Sequence, residues 1–208
     1  QMGVAFCNAM ESKNIITTIK HFISNVSEGG RDSYPAYDSQ WLLRSVYFVP
    51  FEACVKSANV RSVMMAYNTL NGIPCSADSW LMEDILRKEW GFKGMIVSDY
   101  GSIDKMITFR HTAENHAQAA AAAIVSGLDV ELPSNVVFGD GLPAAYRQGL
   151  VKEKDIDRAV AKLLYCKFSC GLFDDKFDVG MAGSVCDNEE HRALALEAAR
   201  KSIVLLKN

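Results

Sequence analysis

Short apolar runs that stop at polar residues alternate along this chain with stretches of helical periodicity. Four runs predict strands: residues 15–19 ahead of Lys20-His21, 62–66 ahead of Tyr67-Asn68, 95–97 ahead of Ser98-Asp99, and 128–130 ahead of Glu131. Between them, residues 80–90 place Leu81, Ile85 and Leu86 on one face, begin after Asp78-Ser79 and stop at Gly91, as an amphipathic helix does. Residues 118–126 are alanine-rich and stop at Gly127; residues 156–168 carry Ile156, Ala159, Val160, Leu163, Leu164 and Phe168 at helical spacing. Residues 39–59 also read as helix, interrupted at Pro50, which can begin a helix but not continue one. Strands alternating with helices imply right-handed βαβ units and a parallel sheet. Four strands are too few for a closed eight-stranded barrel. The pattern predicts an α/β fold, the C-terminal half of a (β/α)8 barrel, over residues 1–173. Residues 174–188 are polar and aperiodic and read as a linker. Residues 189–208, a helix leading into a strand at 203–206, read as the start of a second domain.

The chain has 208 residues, 49% of them hydrophobic, enough for one sizeable core. Its net charge of −3 carries no basic patch, which argues against nucleic acid and anionic membranes as partners. No apolar stretch reaches membrane-spanning length. The chain opens on Gln1 rather than Met and is expected to be a piece of something longer, so missing targeting signals say little. Six cysteines form no CxxC pair, and none of the four histidines lies beside one in sequence. The expectation is buried thiols, with neither a zinc site nor a disulfide framework. The tryptophans Trp41, Trp80 and Trp90 sit in helical stretches and are expected to pack inside.

In parallel α/β folds the residues just past the C-terminal ends of the strands do the chemistry. Here those ends offer a cation and an imidazole (Lys20, His21), a phenol and an amide (Tyr67, Asn68), and two carboxylates (Asp99, Glu131). Asp99 stands out, because an acid ending a buried apolar run beside an aromatic residue is costly unless it is paired or used. Lys20 and His21 suit hydrogen bonding to the hydroxyls of a polyol. Tyr67 is placed to donate to Asp99, holding it ionised and aimed. An ionised carboxylate on a rigid strand end can attack an acetal carbon. Plainer readings stay open: a solvated strand end for Lys20-His21, a core phenol for Tyr67, a loop cap for Asp99. Glu131, with Pro133 marking a turn after it, reads as structural rather than catalytic. His111 and His116 read as polar surface.

At these same residues the sequence resembles the β-glucosidases and β-xylosidases of glycoside hydrolase family 3. The matching stretches are Thr18-Ile19-Lys20-His21-Phe22, Val63-Met64-Met65-Ala66-Tyr67-Asn68 and Asn71-Gly72-Ile73-Pro74. They continue with Ile85-Leu86-Arg87-Lys88-Glu89-Trp90-Gly91-Phe92-Lys93-Gly94, Val97-Ser98-Asp99-Tyr100, Asp129-Val130-Glu131-Leu132-Pro133, Gly171-Leu172-Phe173 and the final stretch 198–208. The likeness runs from about residue 14 to the end, in order.

The resemblance implies that Asp99 is the nucleophile of a retaining glycosidase. It implies that Lys20 and His21 hold hydroxyls of the sugar in the −1 subsite, and that Tyr67 lies against the nucleophile and the sugar ring. Arg31, Met65 and Tyr100 fall where they would line that subsite. It implies no metal or organic cofactor, and it suggests a periplasmic or secreted location. The family's first barrel half supplies an aspartate and an arginine, and its general acid/base is a glutamate of the following domain; none of these segments is present here. The missing remainder of the chain is therefore an expected partner, and the 208 residues alone are expected to have little or no activity. The expected substrate is a small carbohydrate, a β-glucoside, with a β-xyloside as runner-up. Rivals are a lyase using Lys20 as a Schiff-base amine, a non-catalytic sugar-binding relative and, weakest, a metal-dependent hydrolase.

Overall fold

The predicted alternation folds as a mixed α/β structure around a parallel sheet. The computed structural model describes residues 1–26, 30, 34–174 and 179–208. Along the chain come α1 Met2–Glu11, β1 Thr18–Phe22, α2 Gln40–Leu42, α3 Phe48–Ala58, β2 Ser62–Met65, β3 Thr69–Leu70, β4 Ile73–Pro74 and β5 Met95–Val97. There follow α4 Lys105–Thr108, α5 His116–Val125, α6 Val136–Arg147, α7 Glu153–Ser169, α8 Ala182–Val185 and α9 Glu189–Ser202. Two stretches, Leu43–Tyr47 and Trp80–Glu89, are wound as π-helix. The chain divides into two compact units, residues 1–171 and 172–208. Among the described residues no helix is long and apolar enough to cross a membrane.

In the first unit β1, β2 and β5 pair in parallel with β2 in the middle. The register sets Ile19 beside Val63 and Val63 beside Ile96. All four residues of β2 are buried, as a strand covered on both faces should be. The predicted first strand begins too early: pairing runs from Thr18 through Phe22 and so includes Lys20 and His21, with a register irregularity between Ile19 and Phe22. The run at 128–130 pairs only as a bridge between Val97 and Val130, with Asp129 N and Val130 N both donating to Ile96 O. A Cβ at Gly94 would overlap the Arg61 carbonyl, so β5 can enter beside β2 only with glycine there.

The core is aromatic where the helices meet the sheet. Phe22 stacks on Phe48 with ring centroids 5.6 Å apart, and Trp90 meets both edge-on at 5.7 and 5.3 Å, arrangements that add to simple area burial. Trp41, expected inside, is 76% exposed; it lies in the opening turn at α2, and Leu43, wholly buried, takes the inward position. Pro50 does not break its helix. It is the third residue of α3, just after the π-helical stretch, where a missing N–H is tolerated. Asn71-Gly72 turns β3 into β4 with φ of 50° and 90°, the paired positive angles of a type I′ hairpin.

The six cysteines are all free thiols, with Cys7, Cys54, Cys75 and Cys166 buried. In the second unit, α9 starts at an Asn188 cap that accepts from His191 N at 2.8 Å. The strand expected at 203–206 is not formed. Ile203, Val204, Leu205 and Leu206 are all exposed, and no neighbouring strand among the described residues offers them a ladder.

Candidate active site

Parallel pairing brings the C-terminal ends of β1, β2 and β5 to one edge of the sheet, and the candidate residues follow from those ends. Asp99 lies two residues beyond β5 and is only 6% exposed. Its Oδ1 accepts the Tyr100 amide at 2.8 Å. Its Oδ2 is 3.4 Å from Nε2 of His21, reaching over β2 from β1, and is a buried oxygen with no hydrogen-bond donor among the described residues. A buried carboxylate oxygen left without a donor is rare enough to need an explanation, and reserved chemistry is one.

Around Asp99 the backbone is held from several sides. Ser98, wholly buried, donates its N–H to Val130 O at 2.9 Å, and its Oγ accepts Leu132 N at 2.9 Å. Gly101 N donates to Leu132 O at 3.0 Å. Ser102 Oγ lies 2.8 Å from Ser76 Oγ in a buried contact. The Tyr67 hydroxyl, expected to donate to the Asp99 carboxylate, donates instead to the carbonyl of Tyr100 at 2.9 Å. Its one proton therefore steadies the segment carrying the acid.

Of the other predicted residues, His21 is half-buried and meets Asp99, while Tyr100 is exposed directly beside it. Met65, wholly buried, is part of the apolar core. Lys20 lines a cavity of about 650 Å³ together with Phe6, Met10, Ile16 and Cys54, and its side chain makes no hydrogen bond or ion pair among the described residues. Arg31 lies outside the described residues. Glu131 is 8% exposed, and its carboxylate accepts Val137 N at 3.0 and 3.1 Å and Phe138 N at 2.7 Å, capping α6.

Two cations escaped the sequence reading. Lys105 Nζ sits 3.7 Å from the centre of the Tyr67 ring, and Arg110 Nη2 reaches Tyr67 O at 3.4 Å. Both lie just after Asp99, on the connection leaving the same strand end, and that position was the available signal. His116 is partly exposed, with Nε2 3.8 Å from Asp104 Oδ1. Among the described residues no group of three or more His, Cys, Asp or Glu gathers as metal ligands would.

The likeness to known proteins covers the same region. Residues 1–166 match the sequence model of the Glycosyl hydrolase family 3 N terminal domain. A β-xylosidase of Formosa agariphila is 37% identical over 100% of this chain and 31% of its own length. A periplasmic β-glucosidase of Salmonella typhimurium is 37% identical over 100% of this chain and 28% of its own. Among solved structures, a β-glucosidase from Listeria innocua in complex with glucose superposes with a TM-score of 0.90 at 28% identity, covering 100% of this chain and 30% of that one. A β-glucosidase from Erythrobacter marinus superposes with a TM-score of 0.87 at 36% identity, covering 93% of this chain and 26% of that one. The chain thus spans less than a third of the length of these relatives. With four-fifths of its residues under the family's model and full-length alignment to relatives above 30% identity, the chain belongs to glycosyl hydrolase family 3, within that family's N-terminal domain.

Proposed function

We propose that this chain is the C-terminal half of a (β/α)8 barrel, with the start of an α/β sandwich domain, from a retaining exo-acting β-glycosidase. The reaction removes terminal β-D-glucosyl residues from oligosaccharides or glycosides. In the first step the Asp99 carboxylate attacks the anomeric carbon and the glycosidic C–O bond breaks, leaving a glycosyl ester. In the second, water gives a proton to the now deprotonated acid/base and attacks the same carbon, releasing Asp99, so configuration is retained. The observation that carries this reading is the Asp99 Oδ2, buried at a strand end, without a donor among the described residues, 3.4 Å from His21 Nε2. His21 and Lys20 serve as hydrogen-bonding groups for sugar hydroxyls, with Tyr67 and Tyr100 around the same subsite.

A retaining pair needs two carboxyl groups about 5–5.5 Å apart. Glu131 is not assigned that role, since its oxygens already cap α6. The proton donor is proposed to come from the remainder of the enzyme. Relatives named β-xylosidase and relatives named β-glucosidase match at the same identity, which makes xylosides the second reading.

The test uses the full-length protein with 2-deoxy-2-fluoro glucosyl and xylosyl donors, followed by digestion and peptide mass spectrometry. An adduct on the peptide containing Asp99 is the expected result, and the faster-labelling sugar names the substrate. A folded protein that forms no adduct with either donor would overturn the reading and favour a non-catalytic sugar-binding protein.

A further inference from the structure

Asp99 and Glu131 are two buried carboxylates just past the strand ends, and they are connected. Glu131 belongs to the short segment 130–132 that brackets Asp99. Ser98 N donates to Val130 O, Leu132 N to Ser98 Oγ, and Gly101 N to Leu132 O, at 2.9, 2.9 and 3.0 Å. The residues on both sides of Asp99 thus hang on the backbone on both sides of Glu131. The Glu131 side chain in turn is fixed to the first turn of α6 by the amides of Val137 and Phe138. Those are the donors that a local cap normally takes, yet Asn135, the residue preceding α6, gives them no side-chain bond. A carboxylate also suits the positive end of a helix. The segment 130–132 is therefore anchored on a rigid element rather than hanging from a loop.

We infer that Glu131 is a positioning residue for the nucleophile. Through the backbone of residues 130–132 it holds Ser98 and Gly101, and with them the direction of the Asp99 carboxylate. The inference rests on the reading of Asp99 as nucleophile. A nucleophile displaced by about 1 Å loses about 10²-fold in rate, so release of this anchor is expected in the bond-forming step and not in binding.

The experiment measures fluoro-sugar labelling of the full-length protein, separating the first-order labelling constant from the donor's KI. Four proteins are compared: wild type, Glu131→Gln, Glu131→Ala and Ser98→Ala, each checked for folding by circular dichroism. Gln keeps an oxygen acceptor for the α6 amides and is expected within about threefold of wild type. Ala is expected to lose about 10- to 100-fold in the labelling constant with KI nearly unchanged. Ser98→Ala, which removes only the acceptor for Leu132 N, is expected to fall in the same constant by a smaller factor.

Wild-type labelling of Glu131→Ala at Asp99 would overturn the inference while leaving the nucleophile in place. A loss of about tenfold or more in Glu131→Gln would overturn it too, since Gln keeps the acceptor the α6 amides use. If wild type itself carries no adduct on Asp99, the underlying reading fails first and the inference with it. Should Glu131→Ala not fold, Ser98→Ala decides: a slower labelling constant at unchanged KI supports the inference, and a wild-type constant overturns it.

Discussion

Removal of Asp129 is expected to loosen the strand that leads to Asp99. The Asp129 side chain is wholly inaccessible and that of Arg87 is 11% exposed. Oδ2 of Asp129 accepts Arg87 Nη2 at 2.7 Å and the Ile96 amide at 2.8 Å, and Arg158 Nε lies 4.0 Å from Oδ1. Arg87 also donates to the carbonyls of Phe92 and Gly94, on the approach to β5. The Asp129→Ala change leaves a guanidinium buried without its anion and an Ile96 N–H without an acceptor. Breaking a buried pair from one side costs about 3–5 kcal/mol, which is a factor of about 10² to 4 × 10³ in an opening equilibrium. The assay is amide hydrogen exchange, read by mass spectrometry on peptides covering residues 93–98. Exchange there is expected to accelerate by that factor, up to the limit set by global unfolding. A double-mutant cycle sharpens the claim. Arg87→Met with Asp129→Leu removes both charges, and the pair should lose at least about 2 kcal/mol less than the sum of the single changes. Additivity within about 0.5 kcal/mol, or wild-type exchange in Asp129→Ala, would refute the view that this ion pair anchors β5.

Other expectations follow from the same geometry. Asp99→Ala in the full-length enzyme should abolish glycoside turnover by at least about 10³-fold with folding intact, measured with an aryl glucoside and an aryl xyloside. Tyr67→Phe removes the bond to Tyr100 O and should slow Asp99 labelling by a factor of about 2 to 10, corresponding to about 0.5–1.5 kcal/mol. Burial raises Glu11, but hydrogen bonds from Thr17 and Arg61 outweigh it and hold the carboxyl below the usual 4.5. Its contribution is therefore present above pH 4.5 and lost as pH falls through the depressed value; thermal unfolding of wild type and Glu11→Gln should converge in acid and diverge near neutrality. Burial pushes the Cys75 thiol up to about 12, while Cys186 is exposed. Iodoacetamide at mildly alkaline pH should label Cys186 first and Cys75 only on unfolding, as read by peptide mapping.

What the sequence made legible is what short-range pattern controls. Met95–Val97 is apolar up to the point where the sheet ends, so Asp99 could be placed at a strand tip from the string of residues alone. The helix after Asp78 was legible because its start signal is local: Asp78 Oδ1 accepts Leu81 N at 3.2 Å. The beginning of β1 was not, because apolar Ile15 precedes any pairing partner; that turn is set by Glu11, which takes both the N–H and the hydroxyl of Thr17. Helix α6 was invisible for a related reason. It contains Gly139, Gly141 and Pro143, poor helix formers on any local scale. Its glycine at 141 lets it press onto the His116 backbone, where a Cβ would clash at 2.5 Å.

The same limit separates the two acids that matter most. Asp99 and Glu131 look alike in sequence, each a carboxylate just past a strand-like run, and in the fold they are buried to nearly the same degree, 6% and 8% exposed. Burial therefore does not separate the proposed nucleophile from the acid that caps α6. The donors each meets do. Glu131 turns both oxygens onto amides of α6 that would otherwise lack partners, so its desolvation is compensated within the scaffold. Asp99 compensates only one oxygen, on its own neighbour's amide, and keeps the other open toward His21. That asymmetry arises from a helix six residues downstream and a strand almost eighty residues upstream, neither at a spacing any local motif fixes. On the proposed reading, an acid with a coordination site left over is the one equipped to accept a sugar carbon, and the acid with none left over the one equipped to hold the first in place.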